Sequence, residues 1–298
     1  MSTNKTITAY APAKINLFLR VLDKRPDEYH NIQSIFHSIS LYDELEFTLK
    51  PAGIDVRCNR DDIAAPNNLV YKAARLLQEN YNQTQGIDIC VNKHIPIGAG
   101  LGGGSSDAAV TLMTLNQMWN LKLSVEQLLP LAAKLGADVP FFLYQGAALV
   151  EGTGEKITPW PYLACWVLLV KPDIFISTAW AYRNLDSGHK WGLTREENYI
   201  NILQHFWTSG SLGAIATGLL NDFEQLVIRK YPLIQEIKEE LLAAGAEGAL
   251  MSGSGSTVFG LYAHESTARD ALTRLKKTID GGGEVYLAIT TKQKMSSC

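Results

Sequence analysis

The stretch that most constrains this chain is Gly98-Ala99-Gly100-Leu101-Gly102-Gly103-Gly104-Ser105-Ser106, which puts five glycines within seven positions. It follows a strand-like run at 87–91 and opens into an apolar helical stripe at 107–119. Glycine loses more conformational freedom on folding than any other residue, so a fold keeps such a run where backbone must approach something closely. At the start of a helix the first N–H groups lack intrahelical acceptors, and the positive end of the helix dipole lies beside them. Together these make an anion site, and a phosphate is its natural guest. Ser105 and Ser106 add hydroxyl donors or a metal-directed oxygen.

Two better-known phosphate patterns fit less well. Gly98, Gly100 and Gly103 satisfy GxGxxG, but the ribose-binding acid that a dinucleotide fold places about 20 residues on has no good candidate. The run also lacks the GK[ST] ending of a Walker loop. A second cluster, Met251-Ser252-Gly253-Ser254-Gly255-Ser256-Thr257, lies between apolar runs. Alone it reads as a hairpin; beside the first loop it reads equally as a segment closing over a shared ligand.

Around these loops the pattern mixes strands and helices without strict alternation, which predicts an α+β fold rather than a doubly wound sheet. Period-two alternation marks strands at 15–21, 35–39, 45–49, 87–91, 147–150 and 166–170. In the first, Ile15, Leu17, Leu19 and Val21 share one face, and Lys14, Asn16 and Phe18 the other. Leu69, Ala73, Leu76 and Leu77 mark a helical face, as do Ala108, Leu112, Leu115 and Trp119. Ser124 and Gln127 form a capping box for a helix that Gly136 stops and Pro130 is expected to kink or restart. Later helices are expected at 233–244 and 267–279, with strands at 249–251, 257–262 and 285–289, and 186–194 reads as a polar surface loop. The 298 residues suggest two domains, and the prolines of Thr158-Pro159-Trp160-Pro161 place the boundary near 160, giving 1–160 and 161–298.

Bulk electrostatics narrow the partners. The net charge is only -3, and its charges are interspersed, so no basic stripe is present to track a nucleic acid. Cys58, Cys90, Cys165 and Cys298 are far apart and form neither a CxxC pair nor a zinc-finger spacing. The N-terminus has no signal-like apolar core, and the longest apolar run, 163–170, is too short to span a bilayer. A cytoplasmic protein with a small-molecule ligand, no membrane and no nucleic acid is expected, as a monomer or weak homodimer.

Phosphoryl transfer needs positioning, charge stabilisation and a group to handle the acceptor's proton. Asp138, in Gly136-Ala137-Asp138-Val139-Pro140, sits among apolar residues after a helix stop, where an acid is costly unless paired or used. Capping or a structural ion pair is the plainer role for it. Lys14, between Ala13 and Ile15, is similarly out of place; near an acceptor hydroxyl it would favour deprotonation and keep an aspartate ionised.

At these residues the chain resembles the GHMP kinase superfamily, and within it the branch whose acceptor is a cytidine diphosphate-linked methylerythritol. The resemblance rests on Ala11-Pro12-Ala13-Lys14-Ile15-Asn16-Leu17, the first glycine loop, Gly136-Ala137-Asp138-Val139-Pro140 and the second glycine cluster, in that order. It implies a two-domain GHMP kinase fold, with a ribosomal protein S5 domain 2-like N-terminal domain and a ferredoxin-like C-terminal domain. It implies ATP as donor, Mg2+ as helper and phosphorylation of the substrate's 2-hydroxyl in the non-mevalonate isoprenoid pathway. Asp138 matches the family's catalytic base and Lys14 the lysine beside it. Gly98, Gly100, Leu101, Gly102, Gly103, Gly104, Ser105 and Ser106 match the triphosphate loop, and Asn68, Lys93 and Pro96 the adenine pocket. Tyr29, His30, Thr178 and Tyr182, with Asn16, Gly253, Ser254 and Asp138, match the acceptor site. An aromatic pair there can sandwich a pyrimidine while an imidazole bonds its polar edge.

Where the family commonly has glycine before Tyr29-His30, this chain has Glu28, which a turn of positive φ would strain. Kinases of the same superfamily acting on homoserine, mevalonate or a sugar are the nearer competing reading; Tyr29, His30 and Tyr182 weigh against them, because those acceptors offer no base to stack. A catalytically silent nucleotide sensor is the other, and the joint presence of Lys14 and Asp138 weighs against it.

Overall fold

The computed structural model describes residues 5–60, 67–144, 146–188, 199–278 and 283–292. The elements begin with β1 (Thr6–Lys24), β2 (His30–Lys50), β3 (Ile54–Cys58), α1 (Leu69–Asn80), β4 (Gly86–Asn92), α2 (Gly103–Met118), α3 (Val125–Leu135) and α4 (Val139–Tyr144). There follow β5 (Ala147–Gly152), β6 (Lys156–Pro159), β7 (Trp166–Lys171), α5 (Thr178–Gly188), α6 (Tyr199–Ser209), α7 (Leu212–Ala216) and β8 (Leu220–Asn221). The chain continues through α8 (Glu224–Lys230), α9 (Leu233–Ala243), β9 (Gly248–Met251), β10 (Val258–Tyr262), α10 (Glu265–Thr278) and β11 (Glu284–Ile289). None of the described helices is long and apolar enough to cross a membrane.

Two compact units interleave along the chain: Met1–Ala13, Leu41–Ile97 and Gly102–Gln145 form one, and Lys14–Ser40, Gly98–Leu101 and Gly146–Cys298 the other. A single cut at residue 160 therefore does not separate them. In the first unit β4 lies between the end of β2, antiparallel with Glu44 opposite Asn92, and β3, parallel with Ile54 opposite Ile87. Period-two burial follows from the pleat: Leu45, Phe47, Ile87, Ile89 and Val91 point into the core, while Glu46, Arg57 and Cys90 do not. Each such fully buried side chain contributes roughly 1.5–3 kcal/mol. Helices α1 to α4 pack against one another, and α2 is buried on most sides.

In the second unit a four-stranded antiparallel sheet has the order β11-β7-β10-β9, packed against α9 and α10. This is the ferredoxin-like arrangement. Its core gathers Leu168, Val170, Ile237, Leu241, Met251, Val258 and Leu275. Here β1 pairs in parallel with β8, and β2 antiparallel with β5.

Several sequence expectations are corrected. Residues 35–39 and 45–49 are one strand, because nothing at 40–44 interrupts β2. Both faces of β1 are buried over 14–19, with Lys14 and Asn16 only 3% and 1% exposed, since each finds partners there. Helix α2 begins at Gly103, not Asp107, because Gly102 supplies the N-cap in the left-handed region (φ 71°). Pro130 neither ends nor restarts α3, which runs unbroken from its capping box to Leu135. Residues 186–188 continue α5, and 189–194 lie outside the described residues.

Candidate active site

The site residues divide between the two units. In the second, Lys14 Nζ donates to Asn16 Oδ1 at 2.6 Å and lies 4.6 Å from the centre of the Phe36 ring. Asn16 Nδ2 donates to Ser34 Oγ at 3.0 Å, so the buried carboxamide is used at both ends. The backbone N–H of Lys14 donates to the carbonyl of Leu101 at 2.9 Å, which ties β1 to the first glycine loop. The two glycine loops meet directly: Ser252 Oγ donates to the carbonyl of Gly100 at 2.9 Å, and Thr257 N–H to that of Ala99 at 3.3 Å. A Cβ on Gly100 would stand 2.1 Å from the Ser252 carbonyl oxygen, so only glycine permits this approach. Phe175, which sequence reasoning missed, is 75% exposed, and its ring lies within about van der Waals reach of Gly98.

Of the acceptor-site candidates, Thr178 and Ser254 are brought together, their hydroxyl oxygens 2.9 Å apart. The His30 ring stacks on Tyr182 at 4.8 Å and 22°, and Tyr182 packs edge-on against Phe223. Tyr29 is 66% exposed. The turn before this pair does take Glu28 into the left-handed region, with φ 68°.

In the first unit, Gly103, Gly104 and Ser105 open α2, so their N–H groups are the ones a helix leaves without internal acceptors. Ser106 Oγ is buried beside them with no hydrogen-bond partner. Gly136 closes on this turn: a Cβ there would lie 3.9 Å from Ser105 Oγ. Asp138, two residues on, is half-buried and immediately precedes the first turn of α4, a helix packed against α2. Asn68 caps α1, its Oδ1 accepting from Val70 N–H at 2.9 Å.

Lys93 turns inward. Its ammonium is bound by Asp43 and, at 2.6 Å, by Asp107, and all three side chains are nearly inaccessible. Asp43 Oδ1 also accepts the N–H groups of His94 and Ile95 at 2.6 and 2.8 Å, fixing the backbone that leads into Pro96. Burial pushes the Asp107 carboxyl up to about 7; Lys93 pulls against this and Asp43 adds to it. Two buried carboxylates share one cation, and Asp107 readily keeps a proton. Burial alone would lower the Lys93 ammonium, but Asp107 and Asp43 hold it above its ordinary value. Asp43 was invisible to sequence reasoning because its partners are about fifty residues away.

Comparison with known proteins bears on the same residues. Residues 68–146 match the family model described as GHMP kinases N terminal domain, and 208–281 that described as GHMP kinases C terminal. A 4-diphosphocytidyl-2-C-methyl-D-erythritol kinase of a Geobacter species is 46% identical over 277 residues, 92% of this chain and 96% of that protein. One of the same name from Geobacillus kaustophilus is 42% identical over 275 residues, 91% of this chain and 93% of that protein. A crystal structure of 4-(cytidine 5'-diphospho)-2C-methyl-D-erythritol kinase superposes with a TM-score of 0.80 at 32% identity, covering 96% of this chain and 100% of that one.

Proposed function

The chain belongs to the GHMP kinases, within the family of 4-diphosphocytidyl-2-C-methyl-D-erythritol kinases, and on that premise we propose that it phosphorylates the 2-hydroxyl of 4-diphosphocytidyl-2-C-methyl-D-erythritol with ATP. The reaction is a step of non-mevalonate isoprenoid precursor synthesis and takes place in the cytoplasm. The observation that carries the chemistry is the mouth of α2, where a glycine loop delivers first-turn amides with no helical acceptor. These amides hold the triphosphate oxyanions, with Gly98, Gly100 and Leu101 completing the loop.

Asp138 takes the proton of the acceptor hydroxyl as its oxygen attacks the γ-phosphorus and the bond to the bridging oxygen of ADP breaks. Lys14 favours the deprotonated acceptor. The adenine lies against the backbone around Lys93 and Pro96 and beside Asn68, because the Lys93 ammonium is already bound by Asp43 and Asp107. Tyr29 supplies an exposed ring for the cytosine, the stacked His30 and Tyr182 a second aromatic surface, and Thr178, Ser254, Gly253 and Asn16 the polar contacts. The Ser105 and Ser106 hydroxyls would hold a Mg2+ ion delivered with the triphosphate, the buried Ser106 Oγ having no hydrogen-bond partner, and the ion would supply charge neutralisation there.

Turnover with the cytidine diphospho-substrate, set against homoserine, mevalonate and sugar acceptors, tests the reading; equal or faster turnover of another acceptor overturns the assignment. Asp138→Asn should leave ATP binding intact and lower kcat by on the order of 10²-fold or more. Unchanged turnover removes Asp138 from the mechanism.

A further inference from the structure

The segment Asn221-Asp222-Phe223-Glu224 has no part in the chemistry above, yet two of its four side chains end on the second glycine cluster and a third on β1. Asn221 is 5% exposed, and its Nδ2 donates twice, to the carbonyl of Met251 at 2.7 Å and to that of Gly253 at 2.8 Å. Its Oδ1 accepts the N–H of Phe223 at 3.0 Å, so the carboxamide is held from both ends. Glu224 Oε1 accepts the N–H of Met251 at 3.0 Å, and its Oε2 meets Lys238 Nζ at 2.5 Å. Asp222 Oδ2 accepts the N–H of Val21 at 2.8 Å, on the strand that carries Lys14 and Asn16.

The second loop passes this order on. Between the two carbonyls that Asn221 grips lies Ser252, whose Oγ donates to Gly100 and accepts from the N–H of Asn16 at 3.4 Å. The next residue after Gly253 is Ser254, which meets Thr178. We propose that Asn221 is a positioning residue for phosphoryl transfer, clamping the Met251–Gly253 backbone so that Ser252 fixes the Gly100 carbonyl and the Asn16–Lys14 pair. Only a two-proton donor serves here. Both targets are carbonyls, and an isosteric carboxylate would present an acceptor to each of them.

This inference rests on the kinase reading, so its test is built to fail separately from it. Wild-type turnover tests the reading; the ratio of variant to wild type, and amide exchange of residues 251–256 without turnover, test the inference. Asn221→Asp retains the bond from Phe223 N–H and loses only the two donated bonds. It should lower kcat at least 30-fold with less than a 5-fold rise in the KM for ATP, and speed exchange of the 251–256 amides while those of β7 and β11 stay protected. Ser252→Ala, which removes the onward bond to the Gly100 carbonyl and keeps both bonds donated by Asn221, should lower kcat in the same direction. Combined with Asn221→Asp it should add less than its own single effect. Wild-type kcat in Asn221→Asp, a loss matched by the fraction of unfolded enzyme, or full additivity of the two substitutions overturns the proposal. Should Asn221→Asp fail to fold, wild-type kcat in Ser252→Ala overturns it.

Discussion

The two glycine loops are supported by opposite chemistries. Beneath the mouth of α2 the support is ionic and buried: Lys93 between Asp43 and Asp107. Beneath the second loop the gripping group is the neutral carboxamide of Asn221, and the charged pair beside it, Glu224 with Lys238, leaves the lysine side chain 22% exposed. A buried ion pair gives little net stability over an apolar replacement, but losing one partner strands the other without water. The first loop should therefore be brittle and sensitive to pH, and the second tolerant of changes in its charges.

Lys93→Met breaks the comparison most severely, because it leaves two buried carboxylates without a cation. It should lower the unfolding free energy by about 3–5 kcal/mol, against about 1 kcal/mol for Lys238→Met, both read from denaturant midpoints. Equal losses would show that burial does not separate the two supports.

Titration should act on the two units with opposite signs. Burial lowers His37 of the second unit to about 4, and the ring is fixed neutral between the Ser38 carbonyl and the Leu163 N–H. Because the folded value lies below the unfolded one, near 6.5, stability falls as pH drops from about 6.5 to about 4, by about 3 kcal/mol. Asp107 of the first unit has its folded value raised, so its contribution is present at low pH and is lost as pH rises from about 4 through about 7. Asp107→Asn should flatten the neutral limb of the stability profile and leave the acid limb in place. An unchanged neutral limb would contradict the shared-cation account of the triad.

The smallest effect is expected at Glu28. Both loops put glycine at their positive-φ positions, whereas Glu28 sits at φ 68° with a full side chain. Relief of about 1 kcal/mol of left-handed strain, offset in part by the greater freedom of glycine when unfolded, should make Glu28→Gly more stable by about 0.5 kcal/mol. A lower melting temperature would show that the Glu28 side chain, ion-paired with Lys24 at the surface, outweighs the strain.

What the sequence disclosed follows the range of the forces involved. The Ser124 capping box and the alternation at 87–91 are local signals, and each appears where it was expected. The true start of α2 was hidden because Gly103 and Gly104 are poor helix formers, held in the helix by the packing of Gly103 against Ile95. The family resemblance assigns Lys93 to the adenine pocket but does not aim its side chain, because its direction depends on Asp43 and Asp107. The double grip of Asn221 joins residues thirty positions apart and leaves no periodic trace.

The central claim is that the first turn of α2 binds the nucleotide's phosphates. Backbone amide shifts recorded while a non-hydrolysable ATP analogue is added with Mg2+ test it most directly. The expected result is that Gly103, Gly104 and Ser105 move most, with Gly98 and Gly100 following. A saturable titration that leaves those amides unmoved while others shift would contradict it.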